Sequence, residues 1–109
     1  MIEKLISEMN AYHVLSAETI EVLKSIFQVR HFRKNDLILR AGEYAKYYYF
    51  VYEGLLGYYK LDYQGDIIYK LFFQENSFCA STAAITTDQP SSFNIIALED
   101  AALIQYPAR

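Results

Sequence analysis

The chain has 109 residues and a net charge of −3 at pH 7, and 53% of its residues are hydrophobic. This length favours a single domain, and the lack of a basic excess argues against a free-standing nucleic-acid binder. The one cysteine, Cys79, excludes a disulfide framework within the chain and an iron–sulfur cluster held by four of its cysteines. Because no apolar run reaches the roughly 18 residues of a transmembrane helix and no signal peptide begins at Met1, we expect a cytoplasmic protein.

Two amphipathic helices are predicted at the start of the chain, in a helical lead-in over residues 1–27. Residues 2–12 carry apolar side chains at helical spacing, and Val14-Leu15 interrupts the pattern. Ser16 is a suitable N-cap for a second helix. The apolar stripe of that helix consists of Ile20, Leu23, Ile26 and Phe27.

From Gln28 onward the hydrophobic period changes to two, which predicts a β domain over residues 28–109. Glycine-bearing turns at Gly42, Gly54 and Gly65 separate short strands, and this spacing is typical of a β-sandwich or barrel. Gly42 is expected to take a backbone angle that other residues avoid. We expect seven or eight strands, among them residues 37–39, 47–52, 55–61, 67–73, 93–98 and 102–106.

The sequence pattern of histidines, serines and carboxylates suggests no catalytic or metal centre. The histidines, His13 and His31, do not form the His-x-His pair that a cupin-type metal site requires. No Ser-His-Asp set, phosphate-binding glycine loop or pair of catalytic carboxylates stands out, so we predict no catalysis, no metal and no cofactor. A cupin-type enzyme remains the third hypothesis, and a metal assay would test it.

Two surface patterns carry alternative interpretations. The basic residues Arg30, His31, Arg33 and Lys34 are typical of a solvated strand edge that opposes aggregation, although they would also suit DNA backbone or RNA polymerase. The run Tyr47–Tyr49 could stack bases. Strand alternation sends only half of those rings to one face, which favours core packing.

Several runs together resemble the cyclic-nucleotide-binding domain. They are Gly42-Glu43, the run Phe50–Gly54, Gly65 and residues 76–98. More narrowly, the chain is similar to the sensory half of the cAMP receptor protein / fumarate–nitrate regulator (Crp/Fnr) family of bacterial transcription factors. This resemblance implies a mainly β fold with N-terminal helices, a double-stranded β-helix or jelly roll.

The resemblance also implies a phosphate-binding cassette. In family members that bind cyclic nucleotide, a Phe-x-Gly-Glu-Leu run opens this cassette and Pro-Arg-Ser-Ala or a close variant closes it. Backbone N–H groups at the start of a short helix hold the cyclic phosphate, the arginine pairs with its charge, and the glutamate accepts from the ribose hydroxyl.

This chain departs from that cassette at the positions that would grip the ligand. Ser81 stands at the glutamate position and Ser91 at the arginine position. Phe93 replaces a small residue and adds bulk. The remaining positions hold Phe78, Ala80, Gln89, Pro90 and Ser92, of which Phe78 and Ser92 match the family and Ala80 replaces its glycine.

These departures argue against tight cAMP binding. Each lost charge-assisted hydrogen bond contributes about 1.5–3 kcal/mol, so losing several lowers affinity roughly 10²–10⁴-fold. We expect an uncharged or weakly polar ligand, or none, although a distant cation such as Arg40 or Lys70 could still serve a phosphate. The expected lining is neutral and consists of Leu71, Phe73, Phe78, Cys79, Ala80, Ser81, Ser91, Ser92 and Phe93.

Cys79 falls inside this cassette segment. It is expected to be a small buried hydrophobe, the usual state of a free cysteine. The alternative is a redox- or haem-linked sensor thiol, which would need a nearby cation to lower its pKa.

We therefore predict the effector-sensing domain of a Crp/Fnr-type regulator with a degenerate cassette. The family implies a homodimer formed by a long helix after Arg109 and DNA contact through a helix-turn-helix beyond it. Both would lie outside this chain, which ends abruptly after a strand and is either a segment of a longer protein or a short natural one. The alternative function is a stand-alone protein-interaction module with a vestigial pocket.

Overall fold

The computed structural model describes residues 1–12 and 16–108, a mainly β structure with two helices at its start. The helices are α1 (Ile2–Tyr12), α2 (Ala17–Ile26) and α3 (Thr82–Thr87). The strands are β1 (Gln28–Phe32), β2 (Leu37–Leu39), β3 (Tyr47–Glu53), β4 (Leu56–Leu61), β5 (Ile67–Phe73), β6 (Phe78–Cys79), β7 (Asn94–Ala97) and β8 (Ala101–Pro107).

The first two helices form where helical spacing predicts them. The Ser16 hydroxyl accepts a hydrogen bond from the Thr19 backbone N–H at 3.1 Å, so the predicted N-cap of α2 is confirmed. The predicted interruption at Val14-Leu15 and the side chain of Leu23 lie outside the described residues.

In residues 16–108, eight strands form two antiparallel sheets. One has the order β1-β8-β3-β6 and the other β2-β7-β4-β5, so sequential strands alternate between the sheets, as in a jelly roll, except at the β4–β5 hairpin. The predicted jelly-roll fold class is confirmed. Gly42, at the end of the turn after β2, has a φ of 93°, which confirms its predicted conformation.

The core has two layers because the β1-β8-β3-β6 sheet is covered on both faces. Between the sheets lie the fully buried side chains of Val51, Leu56 and Leu103. On the outer face, Phe50 and Ile104 pack against the helical lead-in. That second cluster also contains Leu5, Ile6 and Phe27.

The tyrosine run of β3 follows the expected alternation. The ring of Tyr49 is 8% exposed and belongs to the inter-sheet core, whereas Tyr48 stacks on Tyr106 with ring centroids 5.5 Å apart. Because neighbouring rings lie on opposite faces, the run builds two packing contacts rather than one stacking platform.

Candidate ligand-binding site

The segment from β6 to β7 crosses from one sheet to the other and contains the cassette positions. At the start of the segment, β6 pairs with β3, where Cys79 lies opposite Tyr49. At its end, β7 pairs with both β4 and β2. Between them lies α3, which ends at Asp88 in a left-handed conformation with a φ of 55°. The family resemblance implies a short helix at this point, and α3 occupies it.

Ser81 and Ser91 meet across this crossing. Their hydroxyl oxygens lie 2.9 Å apart, and each residue is 3% exposed. The Ser91 hydroxyl donates to the Phe93 carbonyl at 2.8 Å and accepts from the Phe93 N–H at 3.2 Å. Because a hydroxyl has one proton, Ser81 must be the donor in the serine pair. The two cassette positions therefore satisfy each other, and Ser91 has no free proton for an anion.

A small cavity remains beside this pair. Its volume is about 120 Å³, below the range of about 300–1,000 Å³ that is usual for ligand pockets. The Phe93 ring stacks on Tyr58 with centroids 4.4 Å apart, so it occupies space at the wall of the cavity. Its lining consists of Tyr58, Ser81, Ala84, Thr87, Gln89, Pro90, Ser92 and Phe93.

The predicted lining residues fall into three groups. Ser81, Ser92 and Phe93 border the cavity, and Ser91 lies directly behind it through its bond to Ser81. Cys79 belongs to the inter-sheet core and Phe73 packs against that core. Of the remaining predicted residues, Leu71 and Phe78 are exposed and Ala80 is half-buried, and none of the three borders the cavity.

The predicted lining omitted five residues that border the cavity, of which Gln89 and Pro90 had been assigned only to the closing loop of the cassette. The other three are Tyr58, Ala84 and Thr87. Tyr58 lies on β4 and reaches the site only because β4 pairs with β7, where Tyr58 is opposite Ile95. Such a pairing of strands distant in sequence cannot be predicted from the residues around Tyr58. Ala84 and Thr87 lie on α3, where the family's short helix could have indicated them.

Within the described residues the cavity lining contains no cationic side chain. Lys60 comes near, with its ammonium nitrogen 6.0 Å from the centroid of the Phe93 ring. Arg40 and Lys70, considered above as distant cations, are exposed and do not line the cavity. The lining thus offers hydroxyl, amide and aromatic groups, which suit an uncharged ligand better than a phosphate.

Cys79 is 1% exposed, and burial raises the pKa of its thiol from 9.0 to about 12. The thiolate needed for nucleophilic or redox chemistry is therefore scarce near neutral pH. This environment favours the buried-hydrophobe interpretation of Cys79 over a sensor thiol.

Raising the pH should destabilise the fold through buried acids. The unfolded thiol of Cys79 ionises above about pH 9, whereas the folded one keeps its proton until about pH 12, so stability falls as pH rises between them. Burial also raises the pKa of Tyr49 and Tyr106 from 10.0 to about 12, with the same sign. We expect the free energy of unfolding in urea to drop by about 2–4 kcal/mol between pH 7 and pH 10.5.

The Cys79→Ala variant is the matched control for this pH dependence. It removes the thiol and keeps both tyrosines, so it should lose about half as much stability over the same pH interval. Equal losses in both proteins would show that the thiol does not titrate as its burial implies.

The histidines considered above as metal ligands do not form a site in the described residues. His13 lies outside the described residues, and His31 is exposed on β1. In the part of the chain that the structure describes, no three His, Cys, Asp or Glu residues lie close enough together to hold a metal ion. The helices found in that part are too short or too polar to cross a membrane.

Comparison with known proteins identifies the family. Residues 29–109 match the cyclic nucleotide-binding domain family. The chain belongs to this family. The match covers all eight strands except the first residue of β1, together with the crossing that contains Ser81 and Ser91. No curated protein matches the chain significantly.

Several solved structures share the fold of this chain at low sequence identity. The sensor domain of the transcriptional regulator DNR from Pseudomonas aeruginosa is 20% identical with a TM-score of 0.81, covering 94% of this chain and 70% of that one. The catabolite activator protein from Thermus thermophilus is 18% identical with a TM-score of 0.73, covering 89% and 45%. The regulatory subunit of a cAMP-independent protein kinase A from Trypanosoma cruzi, bound to guanosine, is 14% identical with a TM-score of 0.80, covering 97% and 38%. The chain thus spans less than half the length of the last two.

Proposed function

We propose that this cyclic nucleotide-binding domain is the effector-sensing domain of a Crp/Fnr-type transcription regulator whose cassette has lost tight cAMP binding. Its effector would be an uncharged or weakly polar molecule. The serine pair carries the proposal, because Ser81 and Ser91 hold each other at 2.9 Å at the two positions where the family has its ligand-gripping glutamate and arginine.

The surroundings of the serine pair support the same conclusion. A cyclic phosphate carries a full negative charge, and burying a charge without a partner is costly. The lining supplies no cation within the described residues, and the Phe93–Tyr58 stack narrows the space to about 120 Å³. The kinase regulatory subunit from Trypanosoma cruzi binds guanosine, a nucleoside without phosphate, on a similar fold.

The regulator context rests on the similarity to the DNR sensor domain and the catabolite activator protein. In such a regulator, ligand in the β-roll would shift the population of DNA-competent homodimers. Dimer and DNA contacts would come from segments after Arg109, in a cytoplasmic protein. The sensing domain itself would perform no reaction.

Calorimetric titration with cAMP tests the cassette assignment. We expect no binding below about 100 µM, a bound scaled from the several missing charge-assisted bonds. Titration with guanosine is the matched comparison, since it lacks the phosphate, and it should bind at least as well as cAMP. Micromolar cAMP binding would overturn the assignment.

The gene sequence after codon 109 tests the regulator context. A dimerisation helix followed by a helix-turn-helix would support it. A stop codon there would contradict it and favour the stand-alone interaction module.

A further inference from the structure

A second cavity lies between the β1 edge of one sheet and the β2 edge of the other. Its volume is about 310 Å³, which lies at the small end of the usual range for ligand pockets. It shares no lining residue with the cassette cavity. We propose that this cavity is a second ligand site, for a small organic carboxylate with an apolar body.

Arg30 is held in position at this cavity by two contacts. Its guanidinium donates to the side-chain oxygen of Gln105 at 3.3 Å and lies over the Phe32 ring, 5.5 Å from the centroid. Gln105 is 3% exposed, and its amide nitrogen donates to the side-chain oxygen of Gln28 at 3.0 Å. The glutamine is therefore fixed, and the guanidinium that it orients keeps further N–H groups for a ligand.

The charge balance of the cavity favours an anion. Arg30 and Lys46 supply two positive charges, and Glu43 supplies one negative charge. The Glu43 carboxylate accepts from the Arg40 backbone N–H at 2.8 Å. Within the described part of the chain, neither Arg30 nor Lys46 lies within 4 Å of a carboxylate oxygen, so neither forms an ion pair. The lining thus carries a net charge of +1 in a chain whose net charge is −3.

The other lining residues indicate that the ligand has an apolar portion. Phe32, Leu37 and Leu39 give the cavity an apolar side. Tyr49 also lines the cavity, and burial raises the pKa of its hydroxyl from 10.0 to about 12. A carboxylate could pair with Arg30 or Lys46 while an attached ring or short chain contacts the apolar side, as in aromatic monocarboxylates.

This second cavity is joined to the cassette through backbone hydrogen bonds. Ser91 accepts from the Gly42 N–H and donates to the Glu43 carbonyl, each at 2.8 Å, and Tyr44 forms a β-bridge with Pro90. Glu43 and Tyr44 both line the second cavity. A carboxylate bound there would therefore contact the same short segment that hydrogen-bonds to Ser91 of the cassette.

Benzoate is the probe for this site, and benzamide is its neutral control. In ¹⁵N-edited NMR titrations of the whole chain, benzoate should shift the amides of Tyr49 and Gln105 saturably, with smaller shifts at Ser91, below about 10 mM. Benzamide should bind at least tenfold more weakly, because it cannot pair with a cation.

Benzoate binding to three variants tests whether the ligand occupies this cavity. Arg30→Gln and Lys46→Gln should each weaken binding about tenfold, whereas Lys70→Gln, an exposed lysine on β5, should leave it unchanged. Lys46 is exposed, so its variant tests the site even if Arg30→Gln disturbs folding. No saturable shifts, equal binding of benzamide, or unchanged binding in both cavity variants would overturn the proposal. It is independent of the cAMP test, which concerns the other cavity.

Discussion

The double change Ser81→Glu, Ser91→Arg is expected to raise the affinity for cAMP by about 10²-fold or more. It breaks the serine pair and places an acceptor and a cation at the positions where the family carries them. A glutamate at position 81 would accept from the ribose hydroxyl, and an arginine at position 91 would form charge-assisted bonds to the cyclic phosphate. Calorimetric titration of the variant beside the parent chain measures the gain.

The exchanged variant Ser81→Arg, Ser91→Glu is the matched control for composition and net charge. It contains the same two side chains in the wrong places, so it should show no gain. Each single change should give less than half of the logarithmic gain, because the two groups grip different parts of the same ligand and act together.

If the double variant gains no affinity for cAMP, the bulk of the Phe93 side chain is one possible reason. Its ring stacks on Tyr58 at 4.4 Å and adds bulk at the cassette. Adding Phe93→Ala to the double variant removes this obstacle and should increase the gain. If the triple variant folds and still binds cAMP no better than the parent chain, the backbone at the start of α3 no longer forms a phosphate cradle, and the cassette interpretation is wrong.

Strand alternation made much of the sheet structure predictable from the sequence. Residues 67–73 were predicted with the same bounds as β5, because hydrophobic period and turn glycines both act locally. β6 was not predicted, because a two-residue strand has no period. Only the family resemblance implied the short helix α3, because the Ser81 hydroxyl, which could have marked the helix start as an N-cap, bonds to Ser91 instead.

The candidate sites were less predictable because their decisive contacts join distant residues. Family motifs located Ser81 and Ser91, but their mutual hydrogen bond depends on how the crossing folds. Arg30 was interpreted as part of a solvated strand edge. In the structure β1 is an edge strand, yet the Arg30 guanidinium bonds to Gln105, which lies 75 residues further along the chain. No local pattern contains that partner.

Replacing Gly54 with alanine is expected to lower the free energy of unfolding by about 3 kcal/mol or more. Gly54 has a φ of +102°, and a methyl group there would lie 2.7 Å from the Asp100 carbonyl oxygen and 2.8 Å from the Ala101 Cα. The left-handed conformation alone costs an alanine about 1–2 kcal/mol. The close approach adds about 1–3 kcal/mol, because the atoms it meets are backbone at the start of β8 and cannot rotate away.

Gly65 provides the control that separates these two costs. Its φ is +87°, and nothing lies within 4 Å of the position that a methyl group would take. Gly65→Ala should therefore lose only the conformational part, about 1–2 kcal/mol. Urea unfolding of both variants at pH 7 measures the difference, which is attributable to the contact with β8. Equal losses would mean that β8 moves aside, so that the turn after β3 needs glycine only for its backbone angle and not for its close approach to the start of β8.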